Sequence, residues 1–423
     1  MRMTKRTLLL PVAALWAAVM ALAQPEANYD EALVPQYLLP DVLRCNDGTV
    51  VTTPRDWERR RRPEVMAMLA SQEYGFTPKG MRKVRVRHRV VSENPHALGG
   101  LATMQQVMFT FTGQGRTVEA LLLAFVPNER KGRVPVFIGY NFRGNHSLMD
   151  DEEILYSPYF QRLADRDDPV LVRGNQASRW PVRDIVRRGY ALVTMCYQDI
   201  CPDRADGGDE SVAALCPPEG DEGTRWQALG AWAWGSSRIA DWVVKQRWAD
   251  KQRVAIMGHS RLGKAALWAG AQDKRFAVVI SNDSGCGGAA LSKRAFGERV
   301  GKITRSFPHW FCRNFSRYNE CEEALPFDQH WLLALVAPRR LYVASAEADS
   351  WADPHGEYLA ACAASPVFAL YGLEGIIPDG AAMPPVHQPI MHHIGYHIRT
   401  GVHDVTDYDW ARYLDFCDNA FGR

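Results

Sequence analysis

Arg253-Val254-Ala255-Ile256-Met257-Gly258-His259-Ser260-Arg261-Leu262-Gly263-Lys264-Ala265-Ala266-Leu267-Trp268 is the stretch that decides the fold. Residues 253–257 form a compact apolar run, as a buried parallel strand requires. From Gly263 to Gln272 the pattern turns helical. The reading is strand, tight turn and helix, with Ser260 at the apex. Such an elbow lifts the serine Oγ clear of the sheet and aims the next backbone N–H at a developing oxyanion. The usual spacing is G-x-S-x-G. Here Arg261 and Leu262 precede the second glycine, giving G-x-S-x-x-G.

Outward from the elbow, further compact apolar runs lie at Val134–Tyr140, Tyr190–Cys196, Ala277–Ser281 and Arg340–Ser345. Helical patterns occupy Ala228–Gln246, Gly263–Gln272 and Pro326–Val336. This alternation predicts an α/β fold: a three-layer sandwich with a mostly parallel central sheet and helices on both faces. Upstream, Lys83–Val91 reads as a half-exposed strand, and Met104–Thr112 with Thr117–Val126 as a hairpin pair. Residues 54–73 read as a helix whose arginine run, Arg59 to Arg62, is a solvated face. Residues 145–185 and 200–225 are charged and rich in Gly, Pro and Asp, as long surface insertions near a site would be.

The chain has 423 residues, with Lys+Arg 50 and Asp+Glu 48; 47% is apolar. That excludes a disordered chain and a strongly basic nucleic-acid binder. Arg2, Lys5 and Arg6 precede the uncharged stretch Leu8–Leu22, and Ala21-Leu22-Ala23 ends it. This is the pattern of a secretory signal peptide cleaved after Ala23, too short for the ~20 residues of a membrane anchor. Residues 24–423 then form one soluble, secreted or periplasmic domain, expected to be monomeric, and the formal charge falls from +2 to −1. Nine cysteines without a CxxC pair support no zinc knuckle, and no disulfide pairing can be read from them.

A serine nucleophile needs a base, and the base needs an orienting acid. Asp283 and Asp349 each follow a predicted strand downstream of Ser260, at the sheet edge where ligands bind in open α/β folds. Either could equally be a turn or cap residue. Among His387, His392, His393, His397 and His403, the base is expected at His403, in a short glycine-containing loop. The histidines do not form an HExxH pattern, so no metal is expected from them. His397 reads as a packing residue, and His259 as a structural one that points away from Ser260.

The segment Gly258-His259-Ser260-Arg261-Leu262-Gly263-Lys264 resembles the G-x-S-R-x-G-K signature of the glucuronoyl esterases, carbohydrate esterase family 15. Ser284-Gly285-Cys286-Gly287-Gly288, Leu325-Pro326-Phe327-Asp328-Gln329-His330, Ala337-Pro338-Arg339, Trp351-Ala352-Asp353-Pro354 and Gly395-Tyr396-His397 resemble its bacterial members. The resemblance implies an α/β-hydrolase that cleaves esters of 4-O-methyl-D-glucuronic acid on xylan with lignin alcohols, without metal or cofactor. It implies Ser260 as nucleophile, His403 as base and Arg261 as an oxyanion donor. Lys264, Glu298 and Trp351 would bind the uronate ring. Trp351 alone could be a packing residue, and Glu298 alone a surface charge.

The acid is where this chain departs from many members, which carry glutamate at the position of Asp283. Other bacterial members use an acid matching Asp349. Asp349 ranks first here, because the shorter Asp283 side chain is expected to fall short of His403; Asp283 stays as a second contributor. Another carbohydrate esterase, such as an acetyl xylan esterase, and a non-catalytic carbohydrate-binding protein are the competing readings.

Overall fold

The computed structural model describes residues 27–163, 168–376 and 382–423. The signal-peptide reading, residues 1–23, lies outside the described residues.

One ten-stranded sheet organises the chain. Its strands are β1 (Arg85–Ala97), β2 (Ala102–Gly113), β3 (Arg116–Pro127), β4 (Val134–Asn141), β5 (Ala191–Cys196), β6 (Ala249–His259), β7 (Val278–Asn282), β8 (Arg340–Ala346), β9 (Ile390–Met391) and β10 (Ile394–Arg399). The spatial order is β1-β2-β3-β5-β4-β6-β7-β8-β10-β9. From β5 to β10 every neighbour pair is parallel, while β1, β2 and β3 form an antiparallel meander joined to β5. The main helices are α1 (Ala228–Val243), α2 (Arg261–Gln272), α3 (Pro354–Ala369) and α4 (Asp407–Phe421). Trp232 of α1, Leu267 of α2 and Val367 of α3 join one core on one sheet face. Trp410 and Tyr413 of α4 join a second core with Phe137 and Ile280. Two apolar faces covered by helices make the three-layer α/β-hydrolase sandwich that the alternating pattern predicts.

Two local expectations change. The arginine run is only partly solvated: Arg61 is 1% exposed, donates to the Val42 carbonyl at 2.9 Å and lies 4.1 Å over the Trp331 ring. Its long stem and planar head let it fill a core gap while every donor finds an acceptor. The helix expected over Pro326–Val336 shrinks to His330–Ala334. Its first residues are diverted because the Asp328 carboxylate accepts the N–H groups of Ser292 and Lys293. Among the described residues no helix is long and apolar enough to cross a membrane.

Candidate active site

The elbow has the geometry its sequence demands. Ser260 sits at φ 57°, ψ −130°, a conformation that side chains rarely adopt. It persists because both flanks are fixed. The Ser260 N–H donates to the Asn282 carbonyl at 2.9 Å, and its own carbonyl accepts from Gly263 and Lys264 as α2 begins. The Ser260 side chain caps nothing, so its hydroxyl is free for chemistry.

The shifted glycine spacing has a steric cause. A Cβ at Gly258 would stand 2.0 Å from the Leu262 carbonyl oxygen, and one at Gly263 would stand 2.9 Å from the Ser284 Cβ. The glycines are thus required at 258 and 263, whereas Leu262 is buried in the core.

Three more loops converge at the same sheet edge. Asp349 follows β8 and His403 follows β10. Backbone bonds from Glu347 to the Arg399 carbonyl, 2.8 Å, and from Ala348 to the Gly401 carbonyl, 3.0 Å, clamp these two loops together. His403 Nδ1 lies 2.6 Å from a carboxylate oxygen of the buried Asp349. An ionised carboxylate here accepts the Nδ1 proton, which leaves Nε2 as the basic nitrogen.

Asp283 lies close to the same pair. Single oxygen or nitrogen atoms of Asp283, Asp349 and His403 fall within 4.8 Å of one another. Yet neither Asp283 oxygen has a hydrogen-bond partner among the described residues, and the Arg399 guanidinium stands 3.5 Å away. Burial, with the nearby Glu357 and Asp349 carboxylates, pushes its pKa well up, while the Arg399 charge pulls it back. A cation bridged at this spacing would displace the His403–Asp349 bond.

Arg261, the first residue of α2, is held from outside. Its guanidinium pairs with Asp203 and lies 4.7 Å over the Trp310 ring. Asp203 also accepts from Tyr197 at 2.7 Å, from Trp310 at 2.7 Å and from His309 at 2.8 Å. Burial alone would raise the Asp203 pKa, but these donors and the Arg261 charge hold it well below the usual carboxylate range. The result is a fixed cation beside the elbow with a persistent counter-charge. Asp203 was missed as a residue; only its segment, 200–225, carried the signal of a site-forming insertion.

At the other end, Lys264 is buried and donates to the Ser284 carbonyl. Glu298 is half-buried; burial raises its pKa, and Lys264 and a hydrogen bond from Trp351 pull it back. Trp351 stands at the rim, 37% exposed. Lys264, Glu298 and Trp351 therefore do share one end of the site.

His259 differs in part from expectation. It is buried and its Nδ1 lies 2.6 Å from the Asn282 amide oxygen, as a structural residue would be. Its ring, however, rests against His403, with centroids 4.4 Å apart. Burial and the His403 charge push its pKa well down, so it packs there as a neutral ring. His397 packs as expected, buried between Asp409, 2.8 Å, and Tyr342, 2.9 Å.

Beneath the site sits Glu357 of α3, also missed from sequence. It accepts from the N–H groups of Ser284, 2.8 Å, and Gly285, 3.0 Å, and from the Ser345 hydroxyl, 2.6 Å. Burial raises its pKa from 4.5 to about 7. In the native protein it therefore keeps a proton that the unfolded chain has released. Its contribution to stability is present below pH 4.5 and is lost as pH rises toward 7. Glu357→Gln keeps the shape and removes the titration. Its stability relative to wild type should rise from pH 4.5 to 7 and stay flat above, as urea melts across that range would measure.

Fold and elbow together define an α/β-hydrolase. A family model described as "Glucuronyl esterase, fungi" matches residues 219–372. The chain is 42% identical over 407 residues to carbohydrate esterase MZ0003 from an unknown prokaryotic organism, covering 94% of this chain and 93% of that protein. It resembles the structure of a glucuronoyl esterase from Solibacter usitatus, with 42% identity and TM-score 0.85, over 92% of this chain and all of that one. It also resembles a promiscuous CE15 esterase from the marine bacterial metagenome, with 40% identity and TM-score 0.84, over 93% of this chain and all of that one. The chain belongs to the glucuronoyl esterase family, carbohydrate esterase family 15, and is a carboxylic ester hydrolase by membership.

Proposed function

We propose that this protein is an exported, monomeric serine esterase that hydrolyses esters of (4-O-methyl-)D-glucuronic acid, as in lignin–glucuronoxylan cross-links. The observation that carries the reading is the single sheet edge on which a strained serine, a His403–Asp349 pair and a fixed arginine lie near Lys264, Glu298 and Trp351.

Ser260 Oγ attacks the ester carbonyl while His403 Nε2 takes its proton, and the imidazolium is stabilised by Asp349. The tetrahedral oxyanion is met by the Arg261 N–H at the start of α2 and by its guanidinium. Collapse breaks the bond to the alcohol, which leaves with the proton from His403. Water, deprotonated in turn by His403, then attacks the acyl-enzyme and releases free glucuronate and Ser260. Lys264, Glu298 and Trp351 bind the sugar ring and so turn binding energy into orientation of the carbonyl. Asp283 stands beside the pair, its carboxyl 3.5 Å from the Arg399 guanidinium.

Arg261→Ala should lower kcat by roughly 10²–10³-fold, with KM changed far less, because the donor is engaged fully only in the transition state. Steady-state kinetics on benzyl D-glucuronate measures this.

An acetyl xylan esterase would need no uronate-binding end. Comparing kcat/KM for benzyl D-glucuronate and p-nitrophenyl acetate separates the two. The proposal expects the glucuronate ester to be strongly preferred; preference for acetate would overturn it. A carbohydrate-binding protein without catalysis would bind xylan and leave Ser260 unlabelled by a serine-reactive probe.

A further inference from the structure

His403 sits on a loop with no apolar core of its own. Residues 400–403 are all exposed, Val402 by 65%. The segment 400–404 lies between β10 and α4 and belongs to neither. A loop that buries so little apolar surface is mobile unless polar contacts fix it.

The contacts that fix it come from Arg399, the last residue of β10, which is only 2% exposed. One terminal nitrogen of its guanidinium donates to the Thr400 carbonyl at 3.0 Å. The other donates to the Val402 carbonyl at 3.2 Å and to the Asp404 carbonyl at 2.5 Å. The backbone bends closely round this group: Gly401 has φ +104°, and a Cβ there would stand 3.2 Å from Arg399 Nη1. The Gly401 carbonyl turns the other way and accepts the Ala348 N–H from the Asp349 loop at 3.0 Å. The base is therefore flanked on both sides by carbonyls that are held.

Arg399 is itself anchored. Its Nε donates to the Asp409 carboxylate at 2.7 Å. Asp409 is buried in the first turn of α4, accepts the Thr406 N–H at 2.7 Å and lies 2.8 Å from His397 Nε2. Burial alone would raise its pKa, but the His397 bond, the Arg399 charge and Thr406 hold it below the usual carboxylate range. The Asn282 amide reaches Asp409 at 3.4 Å, and the Asn282 carbonyl takes the Ser260 N–H. A buried polar chain thus runs from the backbone of the elbow to the loop of the histidine.

We propose that Arg399 is a positioning residue for His403: by gripping the carbonyls on both sides of the base, it fixes the imidazole that must serve Asp349 and Ser260 together. The inference rests on the reading of His403 as the base. A core ion pair needs only the Asp409 contact. The three carbonyl bonds go beyond it, and they require a planar fork of several donors. A lysine ammonium at 399 would keep a positive charge near Asp409 and Asp283, but as a point charge it cannot span a carboxylate and three carbonyls.

Arg399→Lys tests this with benzyl D-glucuronate, at temperatures well below the melt of each protein. kcat should fall about 10- to 100-fold with KM within about twofold, since a base misplaced by about 1 Å loses rate and not sugar binding. A purely structural ion pair would lower the melting temperature and leave kcat at the wild-type value; that result would overturn the proposal, as would a rise in KM alone. A second measurement needs no variant. NMR relaxation of the wild-type amides at 400–404 should give order parameters near the ~0.85 of rigid backbone despite their exposure, and values below ~0.6 would overturn the proposal. His403→Ala separates the underlying reading. Wild-type turnover in that variant would remove His403 as the base and the proposal with it. An inactive His403→Ala beside an unimpaired Arg399→Lys would remove the proposal alone.

Discussion

Ser260→Ala should lower kcat on a glucuronate ester by roughly 10⁵-fold while KM moves little. The size follows from the absence of any substitute nucleophile at the elbow: the residues flanking position 260 are committed to β6 and α2. What survives is the stabilisation from Arg261 and from sugar binding, which a serine-to-alanine change does not touch. The backbone at 260 is held at φ 57° by the Asn282 carbonyl and the first turn of α2, contacts that involve no side-chain oxygen. The variant should therefore melt near the wild-type temperature, and kinetics paired with a thermal melt would check both halves of the expectation.

Asp349→Asn should cost roughly 10³–10⁴-fold in kcat, and Asp283→Asn far less. The asparagine at 349 presents no carboxylate to the 2.6 Å contact with His403 Nδ1, so the ring loses its tautomeric preference and its counter-charge. At 283 the substitution exchanges a buried carboxyl that makes no hydrogen bond among the described residues, and whose pKa burial pushes well up, for an amide of the same shape. Steady-state kcat for the two single variants and the double variant would rank the acids. A large loss in Asp283→Asn with Asp349→Asn nearly unaffected would reverse the assignment. If each single loss were small and the double loss large, either carboxylate could serve His403.

The parts of this site that were legible in sequence are those written in short patterns. The run from Arg253 to Trp268 carries strand, turn and helix in consecutive residues, so the elbow could be placed before any tertiary contact was known. Asp349 and His403 follow apolar runs that end at one sheet edge, and parallel topology brings those ends together. What stayed hidden depends on partners far along the chain. Asp203 is 58 residues from the arginine it holds, and Glu357 reaches Ser284 across 73. Asp203 is one of several acids in its segment and Glu357 a single acid in a helix, and nothing local distinguishes either from a solvated acid. Arg61 was misread for the same reason: in sequence it is one of four arginines, and only its place opposite Trp331 singles it out.

The central claim is that the glucuronoyl group passes through Ser260. Hydrolysis of glucuronate esters with several different leaving alcohols, run in the presence of methanol, tests it most directly. A common acyl-enzyme must partition between water and methanol in a way that no longer remembers the departed alcohol. The account predicts one ratio of methyl glucuronate to glucuronate for every ester, with turnover in Ser260→Ala cut by roughly 10⁵-fold. A ratio that changes with the leaving alcohol, or near-wild-type turnover in Ser260→Ala, would contradict it.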